Sequence, residues 1–335
     1  MSDAASFVLG VRNQALLAQA LGVAASLGVA DALAAGPLNM AELAGRCQAH
    51  ADSLQRLLRL LASHGVFAED ETGRFSNTER SAALQSSVAG SLHAVLAGDF
   101  PPLVWSAYGQ LEQAVRTGEV AFELAHGDSF FNYLQANPTA NASFDEAMDL
   151  VAAAENPLIA AWLKPAAGEL VVDVGGGQGG LLAAVLQSHT RARGLLFDQP
   201  QVIADPAALA AAGLLDRCEM QAGDFFSAIP ADADWYLCKR ILHDWDDKQA
   251  LSILHTCRAA MKASARLAII DAVMQPGNEP DPNKFLDLGI MALTGGRERS
   301  EADFKRLFAS AGLVLVDIHP LPAPATLSIV EARPG

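Results

Sequence analysis

The stretch 170–180, LVVDVGGGQGG, constrains this chain more than any other. Leu170, Val171, Val172 and Asp173 read as a buried parallel strand ending in a carboxylate. Gly175, Gly176, Gly177, Gly179 and Gly180 then supply a turn with backbone angles that a Cβ would forbid, and the apolar run 181–186 has helical character. Strand, glycine turn and helix together open a nucleotide-binding βαβ unit. The spacing Gly175-x-Gly177-x-x-Gly180 matches the dinucleotide fingerprint, and Asp198 closes the next apolar run where a ribose ligand is expected. The pattern alone admits NAD or S-adenosylmethionine, and its bland alternative is a glycine-rich turn that holds nothing.

From residue 169 onward strands and helices alternate. Predicted strands are 170–174, 194–198, 218–222, 235–241 and 266–273; predicted helices are 181–187, 201–212, 248–261 and 301–311. Such alternation predicts a doubly wound, mostly parallel α/β sheet. The last two strands, 313–318 and 327–332, have only a proline-rich connection between them. They predict an antiparallel terminal pair, as in a Rossmann-like methyltransferase sheet rather than a dehydrogenase sheet.

The amino-terminal part reads differently. Residues 6–33 are alanine- and leucine-rich, with Leu16, Leu17, Ala20, Leu21 and Ala24 at helical spacing. Gln14, Gln19 and Asp31 interrupt the run, and Asp3 stands where a signal sequence carries basic residues, so we read a helix that packs against protein rather than a leader or a membrane span. A second helix is predicted over 40–47 and a third over 54–63, capped by Asp52 or Ser53 and ended by Gly65, with a hairpin over 66–76. Three helices and a hairpin outline a winged helix. Leu57, Leu58, Leu60 and Leu61 leave only Gln55, Arg56 and Arg59 polar on the would-be recognition helix. The net charge of −15 also opposes phosphate-backbone binding, so a dimerising module is the better reading. Residues 86–165 read as helices broken by Pro101–Pro102, Pro138 and Pro157. They are rich in aromatics, which form either core or a flat apolar pocket. Cys47, Cys218, Cys238 and Cys257 show no metal or disulfide spacing, and we expect free thiols in a reducing cytosol and no metal.

Five ordered motifs run through the second half: VDVGGGQG at 172–179, FDQP at 197–200, GDFF at 223–226, KRILHDWDD at 239–247 and GGRERS at 295–300. In them the chain resembles the caffeic acid O-methyltransferase-like group of class I S-adenosylmethionine-dependent methyltransferases, especially bacterial members acting on secondary metabolites. The resemblance covers nearly the whole chain. It implies a winged-helix-like dimerisation domain over 1–95, a helical connector contributing to the substrate pocket over 96–165, and a cofactor-binding methyltransferase domain over 166–335.

The resemblance also implies roles. Asp173, Gly175 and Gly177 lie by the methionine part of S-adenosylmethionine, Asp198 by the ribose hydroxyls, Asp224 and Phe225 by the adenine, and Lys239 near the cofactor, with S-adenosylhomocysteine as product. His243 matches the catalytic base; a free imidazole titrates near pH 6.5, which suits proton removal at neutral pH. Glu298 and Asp271 match the two acids flanking that histidine, although the family usually has Glu at the position of Asp271. Candidate acceptor contacts are Trp105, Phe130, Met148, Asp244 and Met291. The expectation is therefore a cytosolic, homodimeric O-methyltransferase of a phenolic or enolic hydroxyl on an aromatic or polycyclic small molecule, with no nucleic-acid or membrane partner. Its rivals are a relative with the same fold and cofactor but a diverged reaction (hydroxylase or pericyclase), an NAD-dependent oxidoreductase, and a winged-helix ligand-sensing regulator.

Overall fold

The computed structural model describes residues 2–204, 206–323 and 325–335. The chain divides into two compact units, Met1–Trp105 with Leu134–Leu150, and Ser106–Tyr133 with Val151–Gly335.

The first unit opens with α1 (Asp3–Ser26), whose first turn is capped by the Ser2 hydroxyl accepting from the Ala5 N–H. The single helix predicted over 6–33 is in fact two. Gly28 adopts φ +63°, a left-handed conformation that ends α1, and α2 (Val29–Ala32) restarts beyond it. A reciprocal Asn39–Glu42 capping box starts α3 (Met40–Arg46). The cap of α4 (Ala51–Ser63) is His50, not Asp52 or Ser53: its Nδ1 accepts from the Ser53 N–H. Leu54, Leu58 and Leu61, spaced for one helical face, are buried with Leu43, Phe67 and Phe75. Strands β1 (Phe67–Glu69) and β2 (Phe75–Asn77) form the predicted hairpin, closed by Asp70 accepting from the N–H groups of Thr72 and Arg74. Helices α5 (Glu79–Ala82) and α6 (His93–Leu96) follow. Helix α1 buries only Ala20, Ala24 and Ala25 and leaves Phe7, Val8, Leu9, Val11 and Leu16 exposed. Among the described residues it is also the one helix long and apolar enough, by length and composition, to cross a membrane.

The helices of the middle segment are α7 (Phe100–Tyr108), α8 (Leu111–Thr117), α9 (Ala121–His126), α10 (Phe130–Ala136) and α11 (Pro138–Trp162). Helices break before Pro101–Pro102 and at Pro138, as predicted, but Pro157 does not break α11. Pro101, Pro102 and Pro138 sit in first turns, where no intrahelical N–H is required, and Pro157 lies within α11.

The second unit is built on a seven-stranded sheet of order β5-β4-β3-β6-β7-β9-β8. Its strands are β3 (Leu170–Val174), β4 (Arg193–Asp198), β5 (Cys218–Ala222), β6 (Trp235–Lys239), β7 (Arg266–Asp271), β8 (Leu313–Pro320) and β9 (Ser328–Pro334). β3 to β7 pair in parallel, while β9 runs antiparallel to both β7 and β8, as the proline-rich link predicted. Both sheet faces are covered, so the central strands are continuously apolar. Tyr236, Cys238, Leu267 and Ile269 join one core, and Trp235, Leu237, Ala268 and Ile270 the other. The covering helices are α12 (Gly180–Ser188), α13 (Ala207–Ala211), α14 (Asp247–Ala260), α15 (Pro282–Leu293) and α16 (Glu301–Ser310).

Two expectations need correction here. The helix predicted over 201–212 shrinks to α13: Pro206 stands at its N-cap and Gly213 ends it at φ +67°. Helix α15 was not anticipated, although Asp281 caps it and Pro282 occupies its first position. β3 lies between β4 and β6, so the chain leaves β3 toward one side and returns at β6 on the other. Open α/β sheets bind ligands outside the carboxyl ends of such a strand pair.

Candidate functional site

The turn after β3 is shaped by its glycines. Gly175 (φ +68°) donates its N–H to the Phe197 carbonyl at 2.8 Å, and a Cβ there would collide with Ile241. Gly177 (φ +59°) faces open space: a Cβ would meet nothing within 4 Å. Its N–H donates to Asp198 Oδ2 at 2.9 Å, and the Gln199 N–H donates to Oδ1 at 2.7 Å. Burial raises the Asp198 carboxyl above the ordinary carboxylate range. Asp173 is buried with Oδ2 lacking a hydrogen-bond partner, and burial, opposed by the nearby Lys239 charge, pushes its pKa up to about 7. A buried carboxylate oxygen without a donor is costly unless something donates to it.

Lys239, at the end of β6, donates to Asn156 Oδ1 at 2.9 Å. Its ammonium is also 2.9 Å from Glu155 Oε2, off the hydrogen-bonding direction. Burial, partly offset by Glu155, lowers its pKa. Asp224 accepts from the Phe226 N–H at 2.9 Å and the Ser227 hydroxyl at 3.0 Å, so it shapes its own turn while keeping further lone pairs. The Phe225 ring lies 4.9 Å from Phe226 and 6.2 Å from Trp245, centroid to centroid.

His243 sits in a short 3₁₀ turn, Leu242–Asp244, just beyond β6, and is 4% exposed. Its Nδ1 is 2.7 Å from Glu298 Oε1, while Nε2 is 3.8 Å from Asp244 Oδ1. Asp271 ends β7, fully buried, with neither carboxyl oxygen hydrogen-bonded. Burial raises all three acids, Asp244 and Asp271 to about 6 and Glu298 to about 8. The His243 charge is the chief opposing influence at both aspartates, and Arg240 at Glu298. His243, Glu298, Asp244 and Asp271 thus form one buried cluster after β6 and β7, beside the strand whose turn carries Gly175 and Gly177. Phe130 is buried in edge contact with Phe122, 5.2 Å between centroids. Met291 is half-buried on α15. Trp105 and Met148 belong to the first unit, not to the unit that carries His243.

Comparison with known proteins shows the family. Residues 108–314 match the O-methyltransferase domain family, and residues 11–87 match the O-methyltransferase dimerisation domain. The chain belongs to the O-methyltransferase family. It is 42% identical to the phenazine O-methyltransferase PhzM of Lysobacter antibioticus, over 94% of this chain and 92% of that protein. It superposes on the mitomycin 7-O-methyltransferase MmcR with a TM-score of 0.91 and 38% identity, covering 99% of this chain and 98% of that one. It likewise resembles the O-methyltransferase NcsB1 from neocarzinostatin biosynthesis, crystallised with S-adenosylmethionine and 2-hydroxy-5-methyl naphthoic acid (TM-score 0.84, 36% identity, 95% and 96% coverage). The dinucleotide-like glycine pattern therefore belongs to a methyltransferase sheet and not to an NAD-dependent oxidoreductase.

Sequence reasoning overlooked several groups in this methyltransferase's site. Glu155, 3% exposed on α11, also accepts from Arg240 Nη2 at 2.7 Å, so one carboxylate holds two consecutive cations. Arg240 takes φ +55°, and this ends β6 at Lys239 rather than at Ile241 as predicted. Strained non-glycine backbone of this kind concentrates at functional sites. Asp287, on the unanticipated α15, accepts from the Glu298 N–H at 2.8 Å. Arg299, 1% exposed, donates to the carbonyls of Leu242 and Trp245 at 2.7 and 2.8 Å. A sequence signal existed for Arg299 and Arg240, since both lie inside quoted motifs. None existed for Glu155, whose partners are more than eighty residues away.

Proposed function

We propose that this O-methyltransferase transfers the methyl group of S-adenosylmethionine to a phenolic or enolic hydroxyl of an aromatic or polycyclic small molecule, with His243 as general base. The observation that carries the reading is the His243–Glu298 contact: one ring nitrogen is engaged at 2.7 Å by a buried carboxylate, and the other is left as the proton acceptor. The chain's residues fit the cofactor. Gly177 faces open space, the orphaned Asp173 carboxyl is poised to accept from an ammonium, and Asp198 is available to ribose hydroxyls. Asp224 and Phe225 are assigned to the adenine side, and Lys239 holds the floor of the site through Glu155 and Asn156.

When bound, S-adenosylmethionine supplies an electrophilic methyl on a sulfonium. His243 Nε2 takes the acceptor's hydroxyl proton as the oxygen attacks. Glu298 fixes the ring through Nδ1 and stabilises the imidazolium that forms. Asp271, short of the family's usual Glu by one methylene, adds negative charge without a hydrogen bond to the ring. Asp244, Phe130 and Met291 are proposed to contact the acceptor. The rest of the rate enhancement comes from aligning nucleophile, methyl and sulfur. A homodimer in the cytosol, formed through a dimerisation domain within 1–95 and leading through the 96–165 connector into the 166–335 domain, completes the proposal. The exposed apolar side chains of α1 favour burial against a second copy over insertion into a bilayer, because the dimerisation-domain match covers most of that helix.

The test is transfer of labelled methyl from S-adenosylmethionine to a panel of phenolic acceptors, comparing wild type with His243→Ala. The alanine variant should keep its cofactor affinity and lose roughly 10²–10⁴-fold in turnover, the usual contribution of a general base. Near wild-type turnover on a weakly acidic phenol at neutral pH would reject His243 as the base. An acceptor acidic enough to ionise unaided is recognised by a variant rate that does not change with pH.

A further inference from the structure

We propose that the segment from Gly296 to Arg299 is the positioning device of the base, and that Arg299 is its principal side chain. This rests on the reading of His243 as base and adds a residue to it. A three-residue 3₁₀ turn has few internal hydrogen bonds to hold a catalytic ring in place. The turn carrying His243 is held from outside by four consecutive residues. Gly296 lets two backbones meet, since a Cβ there would collide with the His243 carbonyl oxygen and with the backbone of Asp244. The Arg297 N–H donates to that same His243 carbonyl at 2.8 Å. The Glu298 side chain engages the ring at Nδ1. The Arg299 guanidinium then spans the turn, donating from Nη1 to the Leu242 carbonyl at 2.7 Å and from Nη2 to the Trp245 carbonyl at 2.8 Å.

The two carbonyls bracket His243 on either side, so Arg299 fixes the backbone from which the ring projects. Its own position is set by Asp247 in the first turn of α14, whose Oδ1 accepts from Nε at 3.1 Å. Each of the three guanidinium nitrogens is thereby engaged. A lysine ammonium is a point donor and cannot span both carbonyls while also reaching Asp247. Among the described residues, the hydrogen bonds and ion pair of Arg299 go to Leu242, Trp245 and Asp247, not to the glycine turn or Asp198, so its role is separable from cofactor binding.

The experiment uses full-length protein labelled with ¹⁵N-histidine, in the variants Arg299→Lys and Gly296→Ala. S-adenosylhomocysteine affinity, measured by calorimetry, reports whether the cofactor unit is intact, and both variants should stay within about threefold of wild type. The readout is the His243 ring. In wild type a single tautomer with a strongly downfield Nδ1–H resonance is expected, and in both variants that resonance should broaden or vanish. Where turnover is measured, kcat should fall by roughly 10²-fold, the scale of a misplacement of about 1 Å, with KM for S-adenosylmethionine little changed. Should Arg299→Lys fail to fold, Gly296→Ala decides by the same readout. A wild-type Nδ1–H signal in a folded variant overturns the proposal. Because the signal reports ring position and not proton transfer, it is informative even where His243 proves not to be the base, a failure that His243→Ala turnover reveals separately.

Discussion

At the residue scale, His243 is one ring with two environments. Nδ1 meets the buried Glu298 carboxyl at 2.7 Å, while Nε2, among the described residues, has Asp244 at 3.8 Å. Glu298→Gln keeps the shape and removes the ionisable carboxyl, so its turnover should fall less than that of His243→Ala, and the loss should appear in kcat rather than in cofactor affinity. Equal damage from the two substitutions would mean that Glu298 does more than orient and neutralise. Activity should also fall on acidification, because an imidazolium has no lone pair with which to accept the acceptor's proton. Asp198 gives a cleaner test of the cofactor side. Asp198→Ala removes a charged acceptor from the glycine turn, and a hydrogen bond to a charged group contributes about 1.5–3 kcal/mol. S-adenosylhomocysteine affinity should therefore drop by roughly 10- to 150-fold in calorimetry. Unchanged affinity would remove Asp198 from the cofactor site.

At the element scale, the site depends on where β6 and β7 end. Tyr236 ties β6 to the loop before it and to the end of α14. Its hydroxyl lies 2.9 Å from the Pro230 carbonyl and 3.0 Å from the Ala260 carbonyl, and accepts from the Ala233 N–H at 3.2 Å. One hydroxyl proton serves two carbonyls, so it is shared between them. Tyr236→Phe deprives the Ala233 N–H and the Pro230 carbonyl of this partner, while the Ala260 carbonyl keeps the Asp232 N–H, and should destabilise the protein by about 1–3 kcal/mol in denaturant titration without changing the methyl acceptor. A change below a few tenths of a kcal/mol would show that other partners replace the hydroxyl. Gly175 plays the corresponding role after β3. Its positive φ and the nearness of Ile241 make Gly175→Ala strained on two independent grounds, and the variant should lose cofactor affinity ahead of global stability.

At the scale of the whole molecule, the second unit buries an unusual load of acid. Asp173, Asp244, Asp271 and Glu298 all have pKa values raised chiefly by burial, to about 7, 6, 6 and 8. A carboxyl whose folded pKa exceeds its unfolded one favours folding when protonated. Its contribution is full below about pH 4 and is lost as pH rises through the folded pKa. These groups therefore make stability decline between about pH 4 and pH 8. Asp271→Asn cannot ionise and should flatten that decline, gaining about 2 kcal/mol on wild type at pH 8 relative to pH 4.5, for a shift from 3.8 to about 6. Thermal melts of the two proteins at both pH values check this, and parallel curves would refute it. The other whole-molecule expectation is the homodimer: Phe7, Val8, Val11 and Leu16 stand exposed along α1 and need a covering surface. Light scattering should show twice the monomer mass at micromolar protein; a monodisperse monomer would contradict it.

The sequence by itself determined the parts that depend on local chemistry. The glycine turn after a buried strand, the alternation of strands and helices, the antiparallel end and the winged-helix outline are set by steric freedom and by period, and all are present. The residues proposed for the site were nameable from motifs: His243, Asp198 and Asp173 stand at or just beyond strand ends, and Glu298 in the loop before α16. Breakpoints were less legible. Pro157 lies within α11, and His50 rather than Asp52 caps α4, because surrounding contacts override weak local preference. What only the tertiary structure decided is which groups meet. Glu155 reaches Lys239 and Arg240 across more than eighty residues, Glu298 meets His243 across fifty-five, and Arg299 grips the turn before and after that histidine. Such pairs are fixed by sheet order and burial, which remove water from charged groups and oblige each to find a partner wherever the fold places one.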